Sequence, residues 1–193
     1  TASEYIENKI KEQGEVFGGK KMESLPSSER KEKAAELMPL LRGLASSENR
    51  MIGHFTDSDT VLEYINSNDL ERLAPMGTSC PDHFLRTKIQ PLILKLDPSE
   101  DLSNPEAVLK KLEPDFDRYR KEYKAYYENC KHDNSPAMRD PNPVIIIYPG
   151  VGMFSFAKNK QTARVASEFY VNAINVMRGA EAITEYTSLP RQE

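Results

Sequence analysis

The densest run of reactive side chains in this sequence is Gly77-Thr78-Ser79-Cys80-Pro81-Asp82-His83-Phe84-Leu85-Arg86-Thr87-Lys88. It gathers hydroxyls, a thiol, a carboxylate, an imidazole, a guanidinium and an ammonium just ahead of the apolar segment 91–96. Polar groups beside a core element are costly unless they pair with one another or meet a ligand. Thr78 or Ser79 is placed to cap a short helix begun by Pro81, since proline suits the first helical turn. Such a helix carries His83 and Thr87 on one face and Asp82 and Arg86 on the next, each pair four residues apart. Two readings stay open. In one, the run satisfies itself through a cap and an Asp82–Arg86 ion pair. In the other, the helix start, Arg86 and Lys88 hold an anion such as a sugar phosphate.

Other constellations carry less. Gly150-Val151-Gly152 follows a strand and invites a dinucleotide-loop reading, but such a fingerprint opens a helix directly from its glycines. Here Met153-Phe154-Ser155-Phe156 comes next and reads as strand, so a hairpin turn is the simpler assignment. His54, His83 and His132 form neither HxH nor HExxH, so the spacing does not indicate a metal site. Cys80 and His83 have the residue types of a nucleophile and its base, yet no oxyanion loop accompanies them. Phe116, Tyr119, Tyr123 and Tyr126 make an aromatic stripe at helical spacing, which reads as packing rather than a nucleic-acid platform.

The elements that position these residues follow from periodicity and punctuation. Residues 3–15 read as a helix with Tyr5, Ile6 and Ile10 as its stripe, broken by Phe17-Gly18-Gly19. A polar connector, 20–26, leads to a second helix from about Ser28, with Ala34, Leu37, Met38, Leu41 and Leu44 at helical spacing and Pro39 as a kink. Residues 50–56 read as a strand and Asp57 or Ser58 as the cap of a helix carrying Val61, Leu62 and Ile65. Residues 70–73 are ambiguous, and 91–96 read as a buried strand. Ser103-Asn104-Pro105-Glu106 is a capping-box helix start, with a second start at Pro114. Residues 132–142 are a loop. Val144-Ile145-Ile146-Ile147-Tyr148 is the clearest strand, followed by the turn, a return strand and a long amphipathic helix on Ala163, Ala166, Tyr170, Ile174 and Met177. The pattern predicts an α/β fold, a small mixed sheet flanked by helices. Residues 1–26 are assigned as a helix and linker, and 27–193 as a single α/β domain.

The 193 residues suffice for one ordinary core. A net charge of −4 from 26 basic and 30 acidic residues gives no general pull toward nucleic acid or an anionic membrane. No apolar run is long enough to span a membrane, and the first residues do not form a secretory signal. Cys80 and Cys130 without a CxxC point to free thiols in a reducing, cytoplasmic setting. The first residue is not Met and the last three follow Leu189-Pro190, so both ends are expected to be cuts within a longer polypeptide.

The run 77–88, followed by Pro91-Leu92-Ile93-Leu94, resembles the middle region of bacterial bifunctional rhamnulose-1-phosphate aldolase/short-chain dehydrogenases. There the element reads as a small-residue turn, then Thr-Pro-Asp-His, then Arg-Thr-Lys; here Ser79-Cys80 stands between Thr78 and Pro81. The segment from Tyr148 to Phe156, Thr162-Ala163-Arg164 and Ala180-Glu181-Ala182-Ile183 are similar to the same family. The resemblance implies a class II aldolase/adducin-like part before this segment, carrying zinc histidines, and a dehydrogenase part after Arg191-Gln192-Glu193, carrying the NAD loop and a Tyr/Lys pair. This chain matches neither set, so no cofactor is expected in it, while zinc and NAD are implied for the parent enzyme. The implied chemistry is cleavage of a ketose 1-phosphate to dihydroxyacetone phosphate and lactaldehyde, then oxidation of the aldehyde. The fold implied is a degenerate copy of the aldolase fold or a Rossmann-like layer. Thr78, Asp82, His83, Arg86 and Lys88, with Gly150 and Gly152 beside them, are the candidate ligand or phosphate contacts. The implied partners are the aldolase and dehydrogenase parts, a sugar phosphate and a second copy of the chain. The competing reading is a structural or oligomerisation module with no site.

Overall fold

Three isoleucines in succession make β3 (Ile145–Tyr148) an uncharged, β-branched strand that is stable only when covered on both faces. A computed structural model describes residues 1–47 and 49–190, and all four β3 residues are buried there. Two positive-φ glycines, Gly150 (φ 80°) and Gly152 (φ 158°), turn the chain into β4 (Gly152–Ala157). β3 and β4 pair antiparallel, with Ile146 opposite Phe154. β1 (Ile52–Thr56) pairs antiparallel with the far side of β4, and β2 (Leu92–Ile93) pairs parallel with β3. The sheet order is β1-β4-β3-β2, so the sheet is mixed as the alternation predicted.

Strand alternation divides the core into two layers. Ile146, Tyr148, Phe154 and Phe156 face α2 (Ser27–Ala45) and α6 (Pro105–Cys130). Ile145, Ile147 and Met153 face α3 (Asp59–Ile65), α4 (Leu70–Leu73) and α7 (Lys160–Glu181). α1 (Ala2–Gln13) packs near the end of α7, where Ile6 approaches Gly179. Burying a large aliphatic side chain contributes about 2 kcal/mol, and these two layers hold most of them.

Several elements differ from their expected form. Both helix-interior prolines, Pro39 and Pro114, are carried without a break. Proline removes one backbone bond, but Leu112, Phe116 and Tyr119 on either side of Pro114 are buried against the sheet and hold the helix together. The α6 start is a single cap, Asn104 Oδ1 accepting from Ala107 N at 3.2 Å, with no Ser103–Glu106 box. The ambiguous 70–73 stretch is the short helix α4, extended by a 3₁₀ turn, Ala74–Met76. Residues 91–96 supply only a two-residue strand, lengthened by Leu94 N donating to Ile147 O at 2.9 Å. The 20–26 connector is tied down: Lys21 N donates to Asn66 O and Leu25 N to Gly150 O, while Val16 and Phe17 enter the core. Arg30 pairs with Asp57 at 3.0 Å and donates to Leu25 O, fixing α2 to this connector. Residues Arg191–Glu193, expected to lead toward a dehydrogenase part, lie outside the described residues. No described helix is long and apolar enough to cross a membrane.

Candidate functional site

The helix that the 77–88 run was expected to form is α5 (Pro81–Thr87). Its N-cap is Cys80 rather than Thr78 or Ser79, and no side chain caps it. Thr78 Oγ1 instead donates to the Cys80 carbonyl at 3.1 Å, and Thr87 Oγ1 donates to the His83 carbonyl at 3.1 Å. Asp82 and Arg86 are exposed and form no ion pair with each other, which corrects the expected bridge. His83 turns toward α7, edge-on to Phe169 at 5.1 Å and with Nε2 3.2 Å from Asn172 Nδ2.

Lys88 closes the run and is its most unusual residue. It is the one non-glycine residue with positive φ (63°) among those described, and it is only 8% exposed. Its φ,ψ pair of 63°, 179° lies where glycine is usually required, at a cost of about 1–3 kcal/mol. The surroundings impose it. Lys88 Nζ donates to the carbonyls of Asp140 and Asn142, the latter at 2.5 Å, and stands 4.0 Å from the centre of the Tyr123 ring. Burial pulls its ammonium down to about 8, opposed by the Asp140 carboxylate and reinforced by Arg139.

Asn142, 3% exposed, is the hub of the same network. Its amide oxygen accepts from Arg120 Nε at 2.7 Å, its amide nitrogen donates to Ser47 Oγ at 2.9 Å, and its N–H donates to Asp140 Oδ1 at 2.8 Å. Arg120 also donates to the Leu44 carbonyl at 2.8 Å. This clamp holds the 131–144 loop against α2, α5 and α6. Between that loop, α5 and the end of α6 lies a cavity of about 770 Å³, within the range of small-molecule sites. Lys88 and Asn142 form its floor, Tyr123, Tyr126 and Tyr127 one wall, and Arg139 and Lys158 part of its rim. Burial pushes the Tyr123 and Tyr126 phenols up.

The structure does not bring the predicted contacts to one surface. Of the seven, only Lys88 lines the large cavity. Thr78 borders a separate crevice of about 40 Å³ closed by Leu189 and Pro190. Gly150 and Gly152 lie at the opposite end of β3: Gly150 N donates to Asn66 Oδ1 at 2.6 Å, and its Cα is backed by Pro98 and Met22. The physical reason is the parallel β2–β3 pairing. It sets Lys88 at the entry of both strands and the glycine turn at their exit.

A family model described as aldolase class II, second domain, matches residues 32–193. The chain belongs to this family. A curated relative, the uncharacterized oxidoreductase YuxG of Bacillus subtilis (strain 168), is 35% identical over 193 residues, covering 100% of this chain. The chain spans 27% of that relative's length. No solved structure matches it. The four-stranded mixed sheet is thus that of an aldolase class II second domain.

Two features of the described residues of this second domain bear on zinc and NAD. No three His, Cys, Asp or Glu side chains converge among them. The Gly150-Val151-Gly152 turn leads into β4, not into a helix whose N-terminus could take a pyrophosphate. Cys80 and Cys130 are free thiols.

Sequence reasoning missed the cavity-forming residues Tyr126, Tyr127, Arg139, Asn142 and Lys158 as a group. The aromatic stripe was read as packing, which holds for Phe116 and Tyr119 but not for the last turns of α6. One usable sign was the length of the stripe: it continues through Tyr123 and Tyr126 past Tyr119, the last buried residue of α6.

Proposed function

We propose that this chain is the second-domain segment of a bifunctional sugar-phosphate aldolase/short-chain dehydrogenase, where it scaffolds or completes the aldolase half. In that reading, rhamnulose 1-phosphate is cleaved to dihydroxyacetone phosphate and lactaldehyde, and NAD then takes a hydride as the aldehyde is oxidised. The observation that carries it is the coincidence of two likenesses on one chain: an aldolase class II second domain and, over its whole length, a stretch of an oxidoreductase. Zinc and NAD would be held by the flanking aldolase and dehydrogenase parts, which are this segment's proposed partners. The natural polypeptide, given rhamnulose 1-phosphate and NAD, is expected to release dihydroxyacetone phosphate and to accumulate NADH. Absence of dihydroxyacetone phosphate with an active, folded preparation would remove the aldolase reading.

One observation favours a second reading, a structural or oligomerising module. The hydroxyls of Thr78 and Thr87 and the ammonium of Lys88 are spent on backbone carbonyls, so the run's buried polar groups are largely satisfied within the protein, while Asp82 and Arg86 are exposed. Replacing Arg86 and His83 by Ala in the natural polypeptide separates the two. Unchanged aldolase and dehydrogenase kinetics support the module; a raised KM for the sugar phosphate supports a contact.

A further inference from the structure

The charge of the large cavity runs against that of the chain. The chain carries a net −4, yet among the described residues the cavity is lined by Lys88, Lys131, Arg139 and Lys158 against a single carboxylate, Asp140. That carboxylate is already engaged, Oδ1 accepting from Asn142 N at 2.8 Å and Oδ2 from Ser47 Oγ at 3.2 Å. Lys88 is committed to the loop carbonyls and Lys131 pairs with Glu128 at 2.6 Å. Arg139 gives one N–H to the Leu85 carbonyl at 2.9 Å, and neither it nor Lys158 joins an ion pair among the described residues. Among the described residues, two cations therefore stand at the rim with no carboxylate paired to them.

Part of the cavity lining is aromatic. The Tyr123 and Tyr126 rings are 6.2 Å apart at 42°, with Tyr127 alongside. Tyr127 is anchored by its hydroxyl donating to the Pro136 carbonyl at 2.8 Å, and Tyr123 by the Lys88 ammonium over its ring. Tyr123 and Tyr127 are thus held in place, while the Tyr126 hydroxyl makes no side-chain hydrogen bond among the described residues. Aromatic faces select flat rings, and a guanidinium fork and a lysine lining one cavity select phosphate or carboxylate. The cavity's volume, about 770 Å³, accommodates a mononucleotide-sized molecule.

The geometry points to a binding site for an aromatic organic anion, its ring on the Tyr126–Tyr127 wall and its phosphate or carboxylate on Arg139 and Lys158. This site is independent of the aldolase reading, since it uses none of the residues proposed for the sugar phosphate except Lys88, which serves as floor.

AMP, adenosine and inorganic phosphate are the probes, measured by equilibrium dialysis against the natural polypeptide. AMP is expected to bind saturably, with adenosine and phosphate each weaker by about tenfold or more. Arg139→Ala combined with Lys158→Ala weakens AMP by about tenfold and leaves adenosine unchanged. Tyr126→Leu weakens AMP and adenosine alike. Exchanging the cations, Arg139→Lys with Lys158→Arg, restores AMP binding in large part. AMP held elsewhere on the polypeptide would survive all these changes. Binding that ignores both the double alanine variant and Tyr126→Leu therefore overturns the proposal, as does no saturable uptake below about 10 mM. The substituted side chains lie at the cavity surface, and unchanged far-UV circular dichroism checks that each variant is folded.

Discussion

The two ends of β3 solve the same backbone problem by opposite means. At its exit, the chain must reverse, and Gly150 and Gly152 supply left-handed φ angles at little conformational cost. The turn is then packed solid: a Cβ on Gly150 would come within 2.7 Å of Pro98 Cγ. At its entry, Lys88 adopts a comparably rare conformation with a long charged side chain, and the ammonium stabilises it by gripping the 131–144 loop. That end is left open as a cavity. The glycine turn is closed by packing, whereas the strained lysine ties the loop down through hydrogen bonds beside an open cavity. The proposed aromatic-anion site lies at the second end, not the first.

The comparison can be broken at either end. The largest effect is expected from Gly150→Ala, which meets both the positive φ of 80° and the Pro98 and Met22 side chains. A loss of about 4 kcal/mol in urea denaturation is expected, by the usual size of combined strain and overpacking. A loss below about 1 kcal/mol would show that the turn is not closed.

The next effect is in pH. Folded Lys88 releases its proton near 8, whereas the unfolded chain holds it to the ordinary value of 10.5. Between those values the unfolded state binds more protons, so this residue makes stability rise with pH across that window, by up to about 3 kcal/mol. The cost of the buried charge is fully present below pH 8 and is relieved above it. Comparing urea midpoints of the wild type and Lys88→Met from pH 7.5 to 10 isolates the contribution, since other titrating groups cancel in the difference. A parallel pair of profiles would refute the buried-ammonium account.

Asn142→Ala comes third. It strips Arg120 Nε and Ser47 Oγ of a partner at once, with an expected loss of about 2 kcal/mol. Faster amide exchange confined to the 131–144 loop would sharpen the picture of a clamp. Arg86→Ala, on an exposed and unpaired residue of α5, is expected to move stability by less than about 0.5 kcal/mol.

What the sequence determined by itself is the set of elements and their buried faces. The run of isoleucines made β3, the intervening Met153–Phe156 made the glycine turn a hairpin, and the apolar spacing of α2, α6 and α7 placed Leu37, Phe116 and Ile174 in the core. These follow from local propensity and from period-two or period-3.6 patterning, which act over a few residues. The tertiary structure alone decided which polar residues share a surface. Thr78 and His83 carry reactive groups in one short run, yet the fold points them at a crevice and at α7. Lys88 meets Asp140 and Asn142 some fifty residues away, a pairing set by strand order and the direction of α6. Side-chain chemistry is written residue by residue, but a cavity is made by segments distant in sequence, and only their packing brings its walls together.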